Sequence, residues 1–114
     1  MVSPLDRPHE DFAIADMRNV EVAKPHYHTN GTTEVYFIIS GSGTTVVGGT
    51  EVPVKAGDVI VTPPETAHFT IPNENLVMVV VNTPPFDSSN VVEVLEESKP
   101  EVGYDHEQYR KLTA

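Results

Sequence analysis

"HYHTNGTTEVYFIISG", residues 26–41, decides how this chain is read. His26 and His28 are two apart, so on an extended segment both rings project from one face and Tyr27 from the other. Asn30-Gly31 suits positive φ and a sharp reversal. The chain can therefore leave His28, turn, and bring Glu34 back beside the histidines on the next strand. That strand, "EVYFIIS" (34–40), sets Val35, Phe37 and Ile39 against Tyr36 and Ile38.

Outward from this stretch, short apolar runs alternate with turn residues. "TTVVGG" (44–49) follows "GSG" and leads through a Gly-Gly hairpin into "TEVPV". "KAGD" (55–58) turns the chain into "VIVT" (59–62), and "PPET" stiffens the next loop. "HFTI" (68–71), the "PNEN" turn and "LVMVVV" (76–81) come next, and "VVEVLEE" (91–97) reads as one more strand. "DFAIADM" (11–17) and "NVEVA" (19–23) are weaker strand candidates, and "DHEQYRKL" (105–112) is the one plausible helix. Strands at this spacing indicate an all-β sandwich or barrel, not βαβ units. A single domain is expected over residues 1–114, with a barrel core over about 11–97. The arms, about 1–10 and 98–114, dock on the barrel or on a neighbour.

In "LVMVVV", Leu76, Met78 and Val80 point one way and Val77, Val79 and Val81 the other, so both faces are apolar. Burial on both sides is implied, and either the arms or a second subunit must cover the outer face. A homodimer is the expectation.

Bulk properties narrow the partners. A chain of 114 residues has room for one core. No run approaches the roughly 20 apolar residues of a membrane span. "MVSPLDRPHEDF" lacks the basic segment and apolar run of a secretory leader, so a cytoplasmic protein is expected. The net charge of −10, with seven scattered Lys and Arg, argues against nucleic acid and anionic membranes. With no cysteine, a metal must take histidine, carboxylate or water ligands.

Much later in the chain, "TPPETAHFTI" places His68 at the head of a strand behind Pro63 and Pro64. Three imidazoles and a carboxylate converging from separate strands suit a divalent transition metal with open coordination positions. Such ligands accept iron, manganese, nickel, cobalt, copper or zinc, and the sequence does not choose among them. His9 and His106 read as ordinary histidines.

These residues resemble the cupins, small double-stranded β-helix (jelly-roll) barrels. The family's first motif, G(X)5HXH(X)3-4E(X)6G, is matched by His26-Tyr27-His28, Glu34 and Gly41. The second, G(X)5PXG(X)2H(X)3N, is matched by Gly57, Pro63 and His68. The resemblance covers about residues 19–82 and implies a metal held by His26, His28, Glu34 and His68. The chain departs from the pattern in several places. "TNGTT" is one residue longer than the family's spacing, Val20 stands at the leading glycine, Glu65 replaces the second motif's glycine, and the closing asparagine is displaced to Asn73.

The resemblance implies isomerases and epimerases, dioxygenases, lyases of small organic acids, or non-enzymatic binding proteins. The fold alone does not choose among these. Hardly any cation beyond Lys24 and Arg18 lies near the motifs, which weakens a phosphorylated substrate. A pocket of Tyr36, Ile38 and valines suits a small uncharged or aromatic ligand. The expected function is a metal-dependent oxygenase, isomerase or lyase acting on a small organic molecule. The alternative is a non-catalytic ligand- or metal-binding barrel. Tyr36 and Glu65 are weak candidates for proton transfer; a core tyrosine and a solvated loop glutamate are the bland readings of each.

Overall fold

The computed structural model describes residues 12–16, 24–73, 75–84, 88–94 and 96–114. In chain order the strands are β1 (Phe12–Asp16), β2 (His26–His28), β3 (Thr33–Ser40), β4 (Ser42–Val47) and β5 (Thr50–Lys55). β6 (Val59–Thr62), β7 (His68–Pro72), β8 (Val77–Thr83) and β9 (Val91–Glu93) follow, and helix α1 (His106–Leu112) ends the chain. Two antiparallel sheets result, ordered β1-β8-β3-β6 and β5-β4-β7-β2-β9. This is the all-β jelly-roll architecture expected from the sequence. The segment 19–23, read as a weak strand, lies outside the described residues, as do residues 1–10.

Alternation of side chains builds the interior of the first sheet in rows. Thr62, Glu34 and Asn82 lie abreast across β6, β3 and β8, and Ile60, Tyr36 and Val80 form the next row. Ile38 and Met78 pair one step deeper, before a bulge between Ile38 and Ser40 shifts the register. One end of the barrel is therefore polar and the other apolar. Tyr36, Ile38, Val54, Leu76 and Met78 make the apolar cluster, with Val52, Ile60 and Val80 packed against it. Burying such side chains stabilises by about 1.5–3 kcal/mol each, so this floor anchors the barrel.

The two outer faces differ. On the second sheet the C-terminal arm covers the outside: Val102 and Tyr104 bury with Ala67 and Val94, and Tyr27 and Tyr109 pack against them. Asp105 caps α1 by accepting hydrogen bonds from the backbone N–H groups of Glu107 and Gln108 at 3.0 and 3.3 Å. Gln108 Nε2 donates to the Gly49 carbonyl at 2.8 Å, and the Tyr109 ring meets Phe69 edge-on at 5.2 Å. On the first sheet, Phe37, Ile39, Val59 and Val61 remain 42–56% exposed. The C-terminal arm thus leaves this face open.

The strand expected over 91–97 is shorter than its apolar pattern. Among the described residues β9 pairs only with the three-residue β2, and it ends where that partner ends. Beyond it, Val94 N–H donates to the Pro25 carbonyl at 2.9 Å, and Glu96 and Glu97 are exposed in a bend. Among the described residues, no helix is long and apolar enough to cross a membrane.

Candidate metal centre

β2 and β7 bring the histidines together. His26 and His68 are direct partners in the ladder, with ring centroids 4.4 Å apart. His28 lies 5.3 Å from His26 and 5.2 Å from His68 by the same measure. One ligand nitrogen from each of the three falls within 4.8 Å of the others, a spacing that a single ion can bridge. β2 itself is pinned from outside, where Lys99 Nζ donates to the Tyr27 hydroxyl at 3.2 Å.

Backbone carbonyls orient two of the rings. His26 Nδ1 lies 2.9 Å from the Lys24 carbonyl and His68 Nδ1 lies 2.9 Å from the Thr66 carbonyl. A carbonyl can only accept, so each Nδ1 carries the proton and each Nε2 keeps its lone pair for a metal. Burial also disfavours the charged forms of His26 and His28. Desolvation pushes His28 down to about 4 and, with His68 beside it, also lowers His26. Imidazoles with inward nitrogens fit a divalent transition metal.

Glu34 arrives from the opposite sheet. Its Oε1 lies 3.4 Å from His68 Nε2 and its Oε2 3.8 Å from His28 Nε2. Burial works to raise this carboxyl. Its contacts with His68, Tyr36 and His28 outweigh that effect, and the net direction is down. The longer "TNGTT" loop is accommodated. Gly31 takes φ 78°, and the buried Thr32 hydroxyl donates to the Pro84 carbonyl at 2.9 Å and also contacts Asn30 Oδ1. The extra residue is taken up before β3 begins, and Glu34 keeps its inward phase.

Tyr36 is buried beneath Glu34, within hydrogen-bonding reach of that carboxylate and of Thr70, whose hydroxyl pairs with Thr45. Burial first, then the Glu34 charge, raises its hydroxyl well above the ordinary tyrosine value. It is a proton-holding neighbour of the carboxylate. Glu65 takes φ 52°, is exposed, and donates its backbone N–H to the His28 carbonyl at 3.2 Å. Its main chain thus braces β2, and its side chain faces solvent. The left-handed backbone explains why the family pattern carries glycine here.

Two residues escaped sequence reasoning. Thr62 and Asn82 flank Glu34 in the ladder, are 2% and 7% exposed, and leave Thr62 Oγ1 and Asn82 Oδ1 without a hydrogen-bond partner among the described residues. A buried polar atom left so costs about 1–3 kcal/mol. The missing signal was register, since "VIVT" and "VVVNT" reveal their inward polar residues only once both are aligned on Glu34.

The sequence pattern of the cupin domain family matches residues 15–82, more than half of the chain. The chain belongs to the cupin family. Among solved structures it is similar to Pac13 of Streptomyces, described as a nucleoside dehydratase and also solved with uridine. That match has 19% identity, a TM-score of 0.59, and covers 82% of this cupin and 72% of Pac13. KdgF from Halomonas is similar at 20% identity and TM-score 0.61, covering 69% of this chain and 75% of KdgF. The salicylate 1,2-dioxygenase of Pseudoaminobacter salicylatoxidans, solved with gentisate, is 14% identical with TM-score 0.57; the match covers 62% of this chain and 19% of that enzyme. These likenesses carry the fold. No curated protein matches the sequence.

Proposed function

We propose that this cupin is a metal-dependent enzyme acting on a small organic molecule inside the barrel, as an oxygenase or a metal-assisted isomerase or lyase. His26, His28, His68 and Glu34 hold the metal. The observation that carries this reading is the meeting of three imidazoles, ligand atoms within 4.8 Å, with a buried carboxylate facing two of them. When bound, a divalent metal supplies a Lewis acid for a carbonyl or hydroxyl oxygen, or a redox centre. The chain's own residues orient the ligands, exclude water and hold the Tyr36 proton next to Glu34. The solved relatives act on or bind small organic molecules, uridine and gentisate among them, which supports a ligand of that size.

A second reading, a non-catalytic ligand- or metal-binding cupin, draws support from one observation. Neither weak candidate supplies a ready base inside the barrel: Glu65 is exposed, and Tyr36 holds its proton. Proton abstraction by either of these two residues is disfavoured on that ground.

Metal analysis of tag-free protein tests the centre, with His26→Ala/His28→Ala as the comparison. Near-stoichiometric metal in the parent and none in the variant is expected. Equal trace metal in both removes the proposal.

We further infer a homodimer through the outer face of the first sheet. Val35 pairs with Val61 and Phe37 with Val59, so the outward positions of β3 and β6 form an uncharged patch on a chain of net charge −10. A second copy can bury this patch without opposing like charges.

A further inference from the structure

We propose that Tyr36 positions Glu34 at the metal centre, as one link of a hydrogen-bond chain, Thr45–Thr70–Tyr36–Glu34, that ties the strand bearing the carboxylate to the strand bearing His68. The proposal rests on the reading of His26, His28, Glu34 and His68 as a metal centre and names what holds the carboxylate in it.

Three observations carry it. First, the chain crosses the barrel. Glu34 and Tyr36 are inward neighbours on β3 in one sheet, whereas Thr45 and Thr70 are direct partners in the β4–β7 ladder of the other. The Tyr36 hydroxyl lies within hydrogen-bonding reach of both the Glu34 carboxylate and the Thr70 hydroxyl, and Thr70 pairs with Thr45. Thr70 follows His68 by two residues on β7, so the chain joins the two strands whose side chains meet at the centre. Second, the chemistry of its end gives the chain one direction. A carboxylate only accepts, so Tyr36 donates to Glu34. The phenolic proton is then spent, and Tyr36 accepts from Thr70. Thr70 has spent its own proton in turn, and accepts from Thr45. All three hydroxyls belong to residues no more than 8% exposed, where a lost partner is not replaced at no cost. Third, the carboxylate needs such a hold. Two side chains reach it with a hydrogen-bonding group, His68 and Tyr36. A metal on His68 Nε2 takes that nitrogen's lone pair, so the ring then donates nothing to Glu34. The flanking Thr62 Oγ1 and Asn82 Oδ1 have no partner among the described residues, so neither atom holds the carboxylate. The Tyr36 O–H is the donor left to fix it.

The test uses full-length, tag-free protein titrated with Co(II) in competition with a chromogenic chelator. Parent, Tyr36→Phe, Glu34→Ala and the double variant form a cycle. Tyr36→Phe keeps the ring and removes the donor, and Co(II) affinity should fall about tenfold or more, with a shifted visible Co(II) spectrum. In the Glu34→Ala background the same change should cost less than about twofold, because no carboxylate is left to position. A tyrosine that only fills the core would lower the melting temperature and leave Co(II) affinity alone, or would cost the same in both backgrounds. Unchanged affinity in Tyr36→Phe, or an equal loss in both backgrounds, overturns the proposal. Thr70→Val and Thr70→Ser test the chain even where Tyr36→Phe folds poorly. Thr70→Val should weaken Co(II) binding about threefold or more, while Thr70→Ser, which keeps the hydroxyl, retains the parent's affinity. Equal affinity in these two variants also overturns the proposal. His26→Ala/His28→Ala separates the two readings. Co(II) bound equally by that variant and the parent defeats the metal centre, whereas Co(II) bound by the parent alone, with Tyr36→Phe unchanged, defeats only the role of Tyr36.

Discussion

Glu34 Oε1 stands 3.4 Å from His68 Nε2, across the gap between two sheets that share no ladder at this level. The two residues are 34 positions apart in sequence, and each is placed by its own strand, β3 and β7. The contact closes the barrel around the histidines and sets a carboxylate oxygen against their rings.

Replacement of Glu34 by Gln keeps the shape and removes the charge. If the carboxylate is a metal ligand, affinity for a divalent metal should fall at least tenfold, about 1.4 kcal/mol or more. His68→Ala, which removes a buried ring donor, should lose more. Competition with a chromogenic chelator measures both. Unchanged affinity in Glu34→Gln would place the carboxylate outside the metal shell.

The buried imidazoles predict an acid-sensitive apoprotein. His28 titrates at about 4 in the fold, against 6.5 for an ordinary imidazole, because burial disfavours its charged form. Between those pH values the unfolded chain binds a proton that the folded chain refuses. Stability is therefore full above about pH 6.5, falls as pH drops toward 4, and then levels off for this group. The loss is on the order of 3 kcal/mol, and His26, also lowered, acts in the same direction. Urea unfolding of chelator-treated protein at several pH values checks this, with His28→Gln expected to flatten the profile. A parent whose stability stays level over this window would contradict it.

Legibility in the sequence tracked local signals. β6 was readable to its end residues because Gly57 and Pro63 punctuate both sides, and the histidine pair was readable because a two-residue period puts both rings on one face. β9 was read too long because apolar alternation says nothing about the length of a strand's partner, and β2 offers only three residues. The outward positions of β3 were correctly separated from the inward ones. Which arm covers which face was not readable, since the C-terminal arm packs on the other sheet through Tyr104 and Tyr109. Thr62 and Asn82 were invisible for a related reason: cross-strand register is a tertiary property.

Glu65 provides a test that separates backbone from side chain. A non-glycine residue at φ 52° carries a cost of about 1–2 kcal/mol, partly offset by the entropy that glycine loses on folding. Glu65→Gly should leave stability unchanged or raise it by up to about 1 kcal/mol, with metal content intact. Thermal melting and metal analysis decide. A metal-loaded variant of full stability that lost turnover on a substrate accepted by the parent would give the Glu65 side chain a chemical role.

The exposed outer face of the first sheet predicts the oligomeric state. Val59 and Val61 sit on edge strand β6, each 53% exposed, beside Phe37 at 42%. Lysine at both valine positions is the kind of charge that natural sheets use to block association. Sedimentation velocity should show a dimer for the parent and a monomer for Val59→Lys/Val61→Lys, with metal content unchanged. A monomeric parent at tens of micromolar would exclude this interface.

The last prediction concerns the seam between the C-terminal arm and the barrel. Gly103 takes φ 79°, and a Cβ added there would meet Gly48 Cα at 2.6 Å and Gly48 carbonyl carbon at 2.9 Å. Both contacts are with backbone, so no side-chain rotation relieves them. Gly48 is itself in the hairpin between β4 and β5, where its N–H donates to the Ala67 carbonyl at 2.9 Å, one residue before His68. Ala67 N–H in turn donates to the Val102 carbonyl at 2.8 Å. Gly103→Ala must therefore push the arm outward or strain the hairpin. Loss of about 2–4 kcal/mol is expected, from left-handed strain plus weakened packing of Val102 and Tyr104. Because Ala67 adjoins His68, the same change should loosen the metal centre from behind. Faster metal loss to a chelator, with His26, His28 and Glu34 untouched, is the measurement. A Gly103→Ala protein as stable and as slow to release metal as the parent would show that the arm does not brace the site.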